Sequence, residues 1–136
     1  MDELNLLTKH NNMNEIWDVW TCNLAAENGN LDRLKYLYEH GASEVWDEHT
    51  YSSAVMNGHL DCLIYLHEHG TSEVWNEKTC NYAVRNNHLD CLKYLHKHGR
   101  PGIWTENTFN NAACSGSLEC LIYIYENGGS SFLSKE

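Results

Sequence analysis

Basic residues are few in this chain: nine Lys and Arg stand against 19 Asp and Glu, for a formal charge of −10. That deficit argues against an electrostatic grip on nucleic acid or on an anionic membrane. Long apolar runs are also missing. None approaches the ~18 residues that a membrane-spanning helix needs, and Met1-Asp2-Glu3-Leu4 has neither the basic start nor the apolar stretch of a signal peptide. There is no Cys-x-x-Cys pair, no His-Glu-x-x-His and no glycine-rich phosphate loop. Cysteines, histidines and carboxylates are plentiful but recur at regular places instead of gathering in one cluster. Catalytic residues, a cofactor and a metal are therefore not expected.

What the chain does have is repetition. Trp17, Trp46, Trp75 and Trp104 are 29 residues apart, and a threonine follows each four residues later (Thr21, Thr50, Thr79, Thr108). Alanine comes four further on, at Ala25, Ala54, Ala83 and Ala112. Four units result, 17–45, 46–74, 75–103 and 104–132, preceded by a capping segment 1–16 with Leu4, Leu6 and Leu7, and followed by a short tail 133–136. An array of this kind is a surface more often than an active site.

Each unit reads as two short helices. In the second unit the first helix covers about 48–57 and closes at Gly58, where positive φ ends a helix. Asn87 takes that place in the third unit, as the next-best residue for left-handed geometry. The second helix runs from Leu60 to His69 and stops at Gly70. Helices this short are held by stacking, not by their own propensity. Three of the six cysteines, Cys62, Cys91 and Cys120, share one position of the repeat. Stacked helices lie ~8–10 Å apart, beyond the roughly 7 Å that a disulfide allows, so reduced and buried thiols are expected, in an intracellular, cytoplasmic setting. His67 with His69, and His96 with His98, point about 200° apart on a helix. They are expected as solvated residues near helix ends, not as metal ligands. His59 and His88 fall in the turn between helices, where bonding to backbone is expected.

The wording Asn-Gly-His-Leu-Asp-Cys-Leu-x-Tyr-Leu-x-x-x-Gly, preceded by Thr-x-x-x-Ala, resembles the ankyrin repeat. The resemblance spans 17–132 and implies an all-α solenoid of four stacked helix-turn-helix repeats with short inter-repeat loops. The period is 29 residues where the family has about 33, the proline that follows threonine in the family is absent, and the loop from Gly70 to Thr79 is short. Projecting β-hairpins are accordingly not expected, and Trp75 should pack where one would begin. The Trp-Asp-Glu and Leu-Asp-Cys-Leu-x-Tyr wording also resembles ankyrin-like families of giant amoeba-infecting DNA viruses and protists, which implies a host cell as the setting.

Helical angles divide each unit into two faces. On the first helix Thr50, Tyr51, Ala54 and Val55, with Cys80, Ala83, Val84, Phe109, Ala112 and Ala113 elsewhere, form the core arc. The opposite stripe varies in chemistry: Trp20, Leu24, Glu27; His49, Ser53, Met56; Lys78, Tyr82, Arg85; Asn107, Asn111, Cys114. On the second helix Leu60, Cys62, Leu63, Tyr65 and Leu66 face inward, while Asp61 and Glu68 face water. In an ankyrin-like stack the first helices line the concave surface, so Trp20, Leu24, Met56, Lys78, Tyr82 and Arg85 are the expected protein-binding residues. Tryptophan, tyrosine and arginine are enriched at interface hot spots. The expected function is a non-catalytic protein–protein interaction scaffold for a protein partner, which the viral resemblance implies is a host protein. The alternatives are a recognition adaptor of a ubiquitin-ligase-type assembly, or a self-associating module joined through the apolar C-terminal unit. A monomer is expected over a homo-oligomer.

Overall fold

The computed structural model describes residues 19–41, 46–70, 75–99 and 103–129. The Leu4–Leu7 cap, Trp17, Phe132, Leu133 and the stretches from which a hairpin would project lie outside the described residues. Among the described residues eight helices follow in pairs: α1 Val19–Glu27 and α2 Leu31–Glu39, α3 Glu48–Met56 and α4 Leu60–His69, α5 Glu77–Arg85 and α6 Leu89–His98, α7 Glu106–Cys114 and α8 Leu118–Ile124. An irregular turn, Tyr125–Gly129, closes the series. No strand occurs among the described residues. The first helices pack against one another as one layer and the second helices as another, with each pair also packed internally. The chain is a helical solenoid of stacked helix-turn-helix repeats.

The recurring threonine has a second reason to be there besides burial. Asp47, Asn76 and Thr105 are N-caps in extended conformation, and Thr50, Thr79 and Thr108 complete a capping box at each. The threonine Oγ1 accepts the N-cap backbone N–H, at 3.1 Å for both Asn76 and Thr105. Two otherwise orphaned helix-end donors are satisfied within one four-residue phrase. Neighbouring units are stitched at the same level: Asn76 Nδ2 donates to Glu48 Oε2 at 3.4 Å, and Thr105 Oγ1 to Glu77 Oε2.

The core follows the expected arcs. Tyr51, Ala54, Val55, Cys80, Ala83, Val84 and Ala112 are buried together with Leu34, Leu37, Leu63, Leu66, Leu92 and Leu95. Small alanines let the first helices approach closely, and the leucines fill the space between the two layers. Ala113 departs from the expectation and is exposed. It stands in the last unit, and no further unit among the described residues covers its side of α7. The six thiols are unbridged, and all but Cys114 are buried.

The turn inside each unit is fitted to the unit that follows it. Gly29 and Gly58 have φ of 67° and 71°. A Cβ on Gly29 would lie 2.5 Å from the His59 ring, and one on Gly58 would lie 2.6 Å from the His88 ring. Those rings are held in place by backbone bonding, as expected: His59 Nε2 to the Glu27 carbonyl at 3.1 Å, and His88 Nε2 to the Met56 carbonyl at 3.0 Å. The third unit carries Asn87 at the glycine position, with φ 55°. The next unit has buried Ser117, not a histidine, at the place of His59 and His88. Placing a histidine there should test this fit. Ser117→His is expected to destabilise the chain by ~1–3 kcal/mol through overpacking, and adding Asn87→Gly should recover most of the loss. Equal urea midpoints for the single and double variants would refute the coupling.

Candidate interaction face

Helix α5 carries three of the six expected binding residues. Lys78, Tyr82 and Arg85 are four and three residues apart, so they stack along one face. Lys78 and Arg85 are exposed and Tyr82 is half-buried. The Arg85 guanidinium carbon sits 5.9 Å from the centre of the Tyr82 ring, within the range of cation–π attraction. Arg85 Nε donates to Asn111 Oδ1 of the fourth unit at 3.3 Å. The three side chains, with Asn81, line a cleft of about 170 Å³. The structure thus brings three of the expected residues into a shared concavity.

The other three are placed apart from it. Trp20 is 65 % exposed on α1, with half-buried Leu24 four residues further along the same helix. Met56, at the end of α3, is 39 % exposed. The stripe as a whole keeps one rhythm through its four units. Its first and third members are exposed and its middle member, Leu24, Ser53, Tyr82 or Asn111, is half-buried. It is a continuous outer face of the first-helix layer, not a single pocket.

Asn81 is the residue that helical angles passed over. It belongs to neither the apolar arc nor the stripe, yet it lines the cleft and is only 8 % exposed. Its counterpart in the first unit, Asn23, accepts the Thr50 hydroxyl at 2.7 Å. Asn81 Oδ1 has no hydrogen-bond partner among the described residues. The sequence signal was available: a polar residue recurs at this place as Asn23, Ser52, Asn81 and Asn110.

On the opposite layer the histidine expectation needs correction. His67 and His96 are half-buried links between units, not solvated ends. His67 Nδ1 lies 2.7 Å from the Tyr94 hydroxyl, and His96 Nδ1 lies 2.9 Å from that of Tyr123. The His67 ring lies 4.9 Å from Trp75, and the His96 ring stacks on Trp104 at 4.3 Å. Tyr38 fills the same place in the first unit, 5.6 Å from Trp46 and 5.9 Å from Tyr65. In each of the first three units one ring thus leans on the tryptophan and tyrosine of its successor.

Burial lowers the His67 pKa below its ordinary value of 6.5, and the nearby His98 charge lowers it further, with Glu68 acting weakly in the opposite sense. A depressed folded-state pKa means that the unfolded chain takes up the proton first. The neutral form's contribution is then complete above pH 6.5 and is lost as the pH falls through the folded-state value. His67→Tyr, which copies Tyr38, keeps a ring but removes the titration. The thermal midpoint of the parent should therefore fall more than that of His67→Tyr between pH 7.5 and 5.5. Parallel declines would rule out His67 as the source.

Three of the thiols in the core are chemically quiet. Burial, reinforced by the adjacent aspartates, pushes Cys62 and Cys91 up to about 12, and burial with the Glu119 charge brings Cys120 to about 11. Thiolate, the reactive form, is scarce at such values. Among the described residues no three His, Cys, Asp or Glu side chains converge on a common point, and no helix is long and apolar enough to cross a membrane.

A family model for ankyrin repeats in three copies matches residues 23–107 and 52–135. No curated protein and no solved structure matches the chain.

Proposed function

The chain belongs to the ankyrin-repeat family, and from that premise we propose that it is a non-catalytic scaffold holding a protein partner against the concave face of its stack. Members of the family are generally protein–protein interaction modules. The observation that carries the reading is the contrast between the two sides of the first helices. Their inward positions repeat the same few residues, whereas the outward stripe is accessible and differs in chemistry from unit to unit. Repetition marks what stacking requires; the variable stripe is free to be selected for binding. Trp20, Leu24, Met56, Lys78, Tyr82 and Arg85 are the proposed contacts, and a contact of standard size would bury ~800 Å² on each partner.

The same reading divides the chain into a cap, 1–16, four repeats, 17–45, 46–74, 75–103 and 104–132, and a tail, 133–136. Its setting is the cytoplasm, supported by buried thiols that carry no bridge. The wording of the repeats supports kinship with the viral and protist families named above, and so a host protein as partner. Recognition within a ubiquitin-ligase-type assembly would use the same face.

The test is a capture from host lysate with the parent and with Tyr82→Ala/Arg85→Ala. The double variant should lose its partner while still folding by circular dichroism, with a stability cost of about 1 kcal/mol because half-buried Tyr82 packs against the core. Undiminished capture would discard the concave-face reading. Self-association has one observation in its favour. The last unit leaves Leu118, Ile122 and Tyr125 between 46 % and 61 % exposed, and Tyr125 holds the place from which Tyr38, His67 and His96 reach the next unit. Such a contact would run head to tail and extend rather than close. Sedimentation at several concentrations decides it, since a constant monomer removes it.

A further inference from the structure

The geometry points to an acidic peptide segment as the occupant of the α5 cleft, with its carboxylates on Lys78 and Arg85 and one of its backbone N–H groups on Asn81 Oδ1. This inference rests on the scaffold reading and names the chemistry of its partner at one site. Three observations converge there. First, a chain of net charge −10 presents two cations in the lining of one cleft of about 170 Å³. Two carboxylates of the first-helix layer are turned to other work: Glu48 accepts from Asn76, and Glu77 from Thr105. Among the described residues no ion pair joins Lys78 or Arg85 to an acid. Second, Arg85 is pre-positioned. Its Nε is held by Asn111 and its plane is near Tyr82, which leaves the terminal nitrogens to face a ligand.

Third, the same lining holds Asn81, whose buried Oδ1 has no donor among the described residues. Leaving a carbonyl oxygen unsatisfied in such a place is costly, and a bare anion cannot cure it, because it has no proton to donate. A peptide can, since each non-proline residue carries an N–H beside its side chain. The spacing also suits an extended segment. Lys78 and Arg85 are separated by ~10 Å of helical rise, and side chains two residues apart on an extended strand leave its backbone ~7 Å apart on one face. Long flexible side chains make up the difference. Tyr82 lies between them and offers a ring face to the aliphatic stems of glutamate.

The probes are two peptides that differ only in charge, acetyl-Glu-Ala-Glu-amide and acetyl-Gln-Ala-Gln-amide, titrated into the full chain and followed by backbone amide shifts. The Glu peptide should perturb residues 78–85 saturably and bind about tenfold or more tightly than the Gln peptide, with the difference shrinking at 0.5 M salt. Lys78→Gln/Arg85→Gln should bring the Glu peptide down to the level of the Gln peptide. Asn81→Ser, which copies Ser52 and so preserves the fold, should weaken both peptides several-fold. Equal affinities for the two peptides, or a Glu peptide unaffected by Lys78→Gln/Arg85→Gln, would overturn the assignment. Dimers that dissociate in that variant yet resist the Glu peptide would give the cleft to a second copy, and overturn it equally. None of these results bears on capture of a protein partner by the Tyr82 and Arg85 face, so the scaffold reading stands or falls separately.

Discussion

Trp75→Ala is expected to cost about 3–5 kcal/mol, the range for removing a large aromatic from a packed interior. Against a total stability of roughly 5–15 kcal/mol for a domain, that loss would leave a population visibly unfolded in mild denaturant. Trp75 is 1 % exposed and meets three rings: Tyr51 at 6.2 Å, His67 at 4.9 Å and Tyr94 at 6.1 Å. Tyr51 and His67 belong to the unit before it and Tyr94 to its own, so the indole fills the seam between two units. Trp46 and Trp104 hold equivalent places but are half-buried, and their alanine variants should lose less. Urea unfolding followed by circular dichroism gives the ranking. Trp75→Phe separates volume from the mere presence of a ring; a penalty as large as that of Trp75→Ala would show that ring packing is not the cause.

Leu92→Ala should cost ~2–5 kcal/mol, and Leu121→Ala distinctly less. Both occupy the same position of the second helix, with Leu34 and Leu63 as the other copies. Leu34, Leu63 and Leu92 are fully buried, whereas Leu121 is half-buried at the edge of the core. A cavity at Leu92 is walled on every side by packed neighbours and cannot collapse; one at Leu121 opens toward solvent. Identical penalties would mean that stacking on a following unit adds nothing to this position. In an array, stability is a sum of unit and interface contributions, so the pair of variants measures one interface contribution.

Much of this fold is legible in the chain because the repeats calibrate one another. The second unit's helices, read at about 48–57 and 60–69, are found at Glu48–Met56 and Leu60–His69. Glycine and asparagine at the turn carry positive φ as read. The site is less legible. Helical angles tell where a side chain points relative to its own axis, and nothing about what a neighbouring unit places opposite. His67 and His96 differ from the expectation for that reason: stacking brings Trp75 and Trp104 against them. Asn81 escaped because it is polar in a buried place, which neither a hydrophobic arc nor a solvent stripe describes. The exposure of Ala113 likewise depends on its place in the series and not on its own unit.

The match between each turn and the next unit's histidine or serine also constrains how such an array can lengthen. Copying the second unit in tandem would set Gly58 before another His59, a pairing the chain already uses. Copying the third would set Asn87, with its Cβ, against a second His88, a pairing that Gly29 and Gly58 both avoid. The segments are therefore not interchangeable bricks: each carries a fitting for one kind of successor, and duplication is open at one joint and obstructed at another.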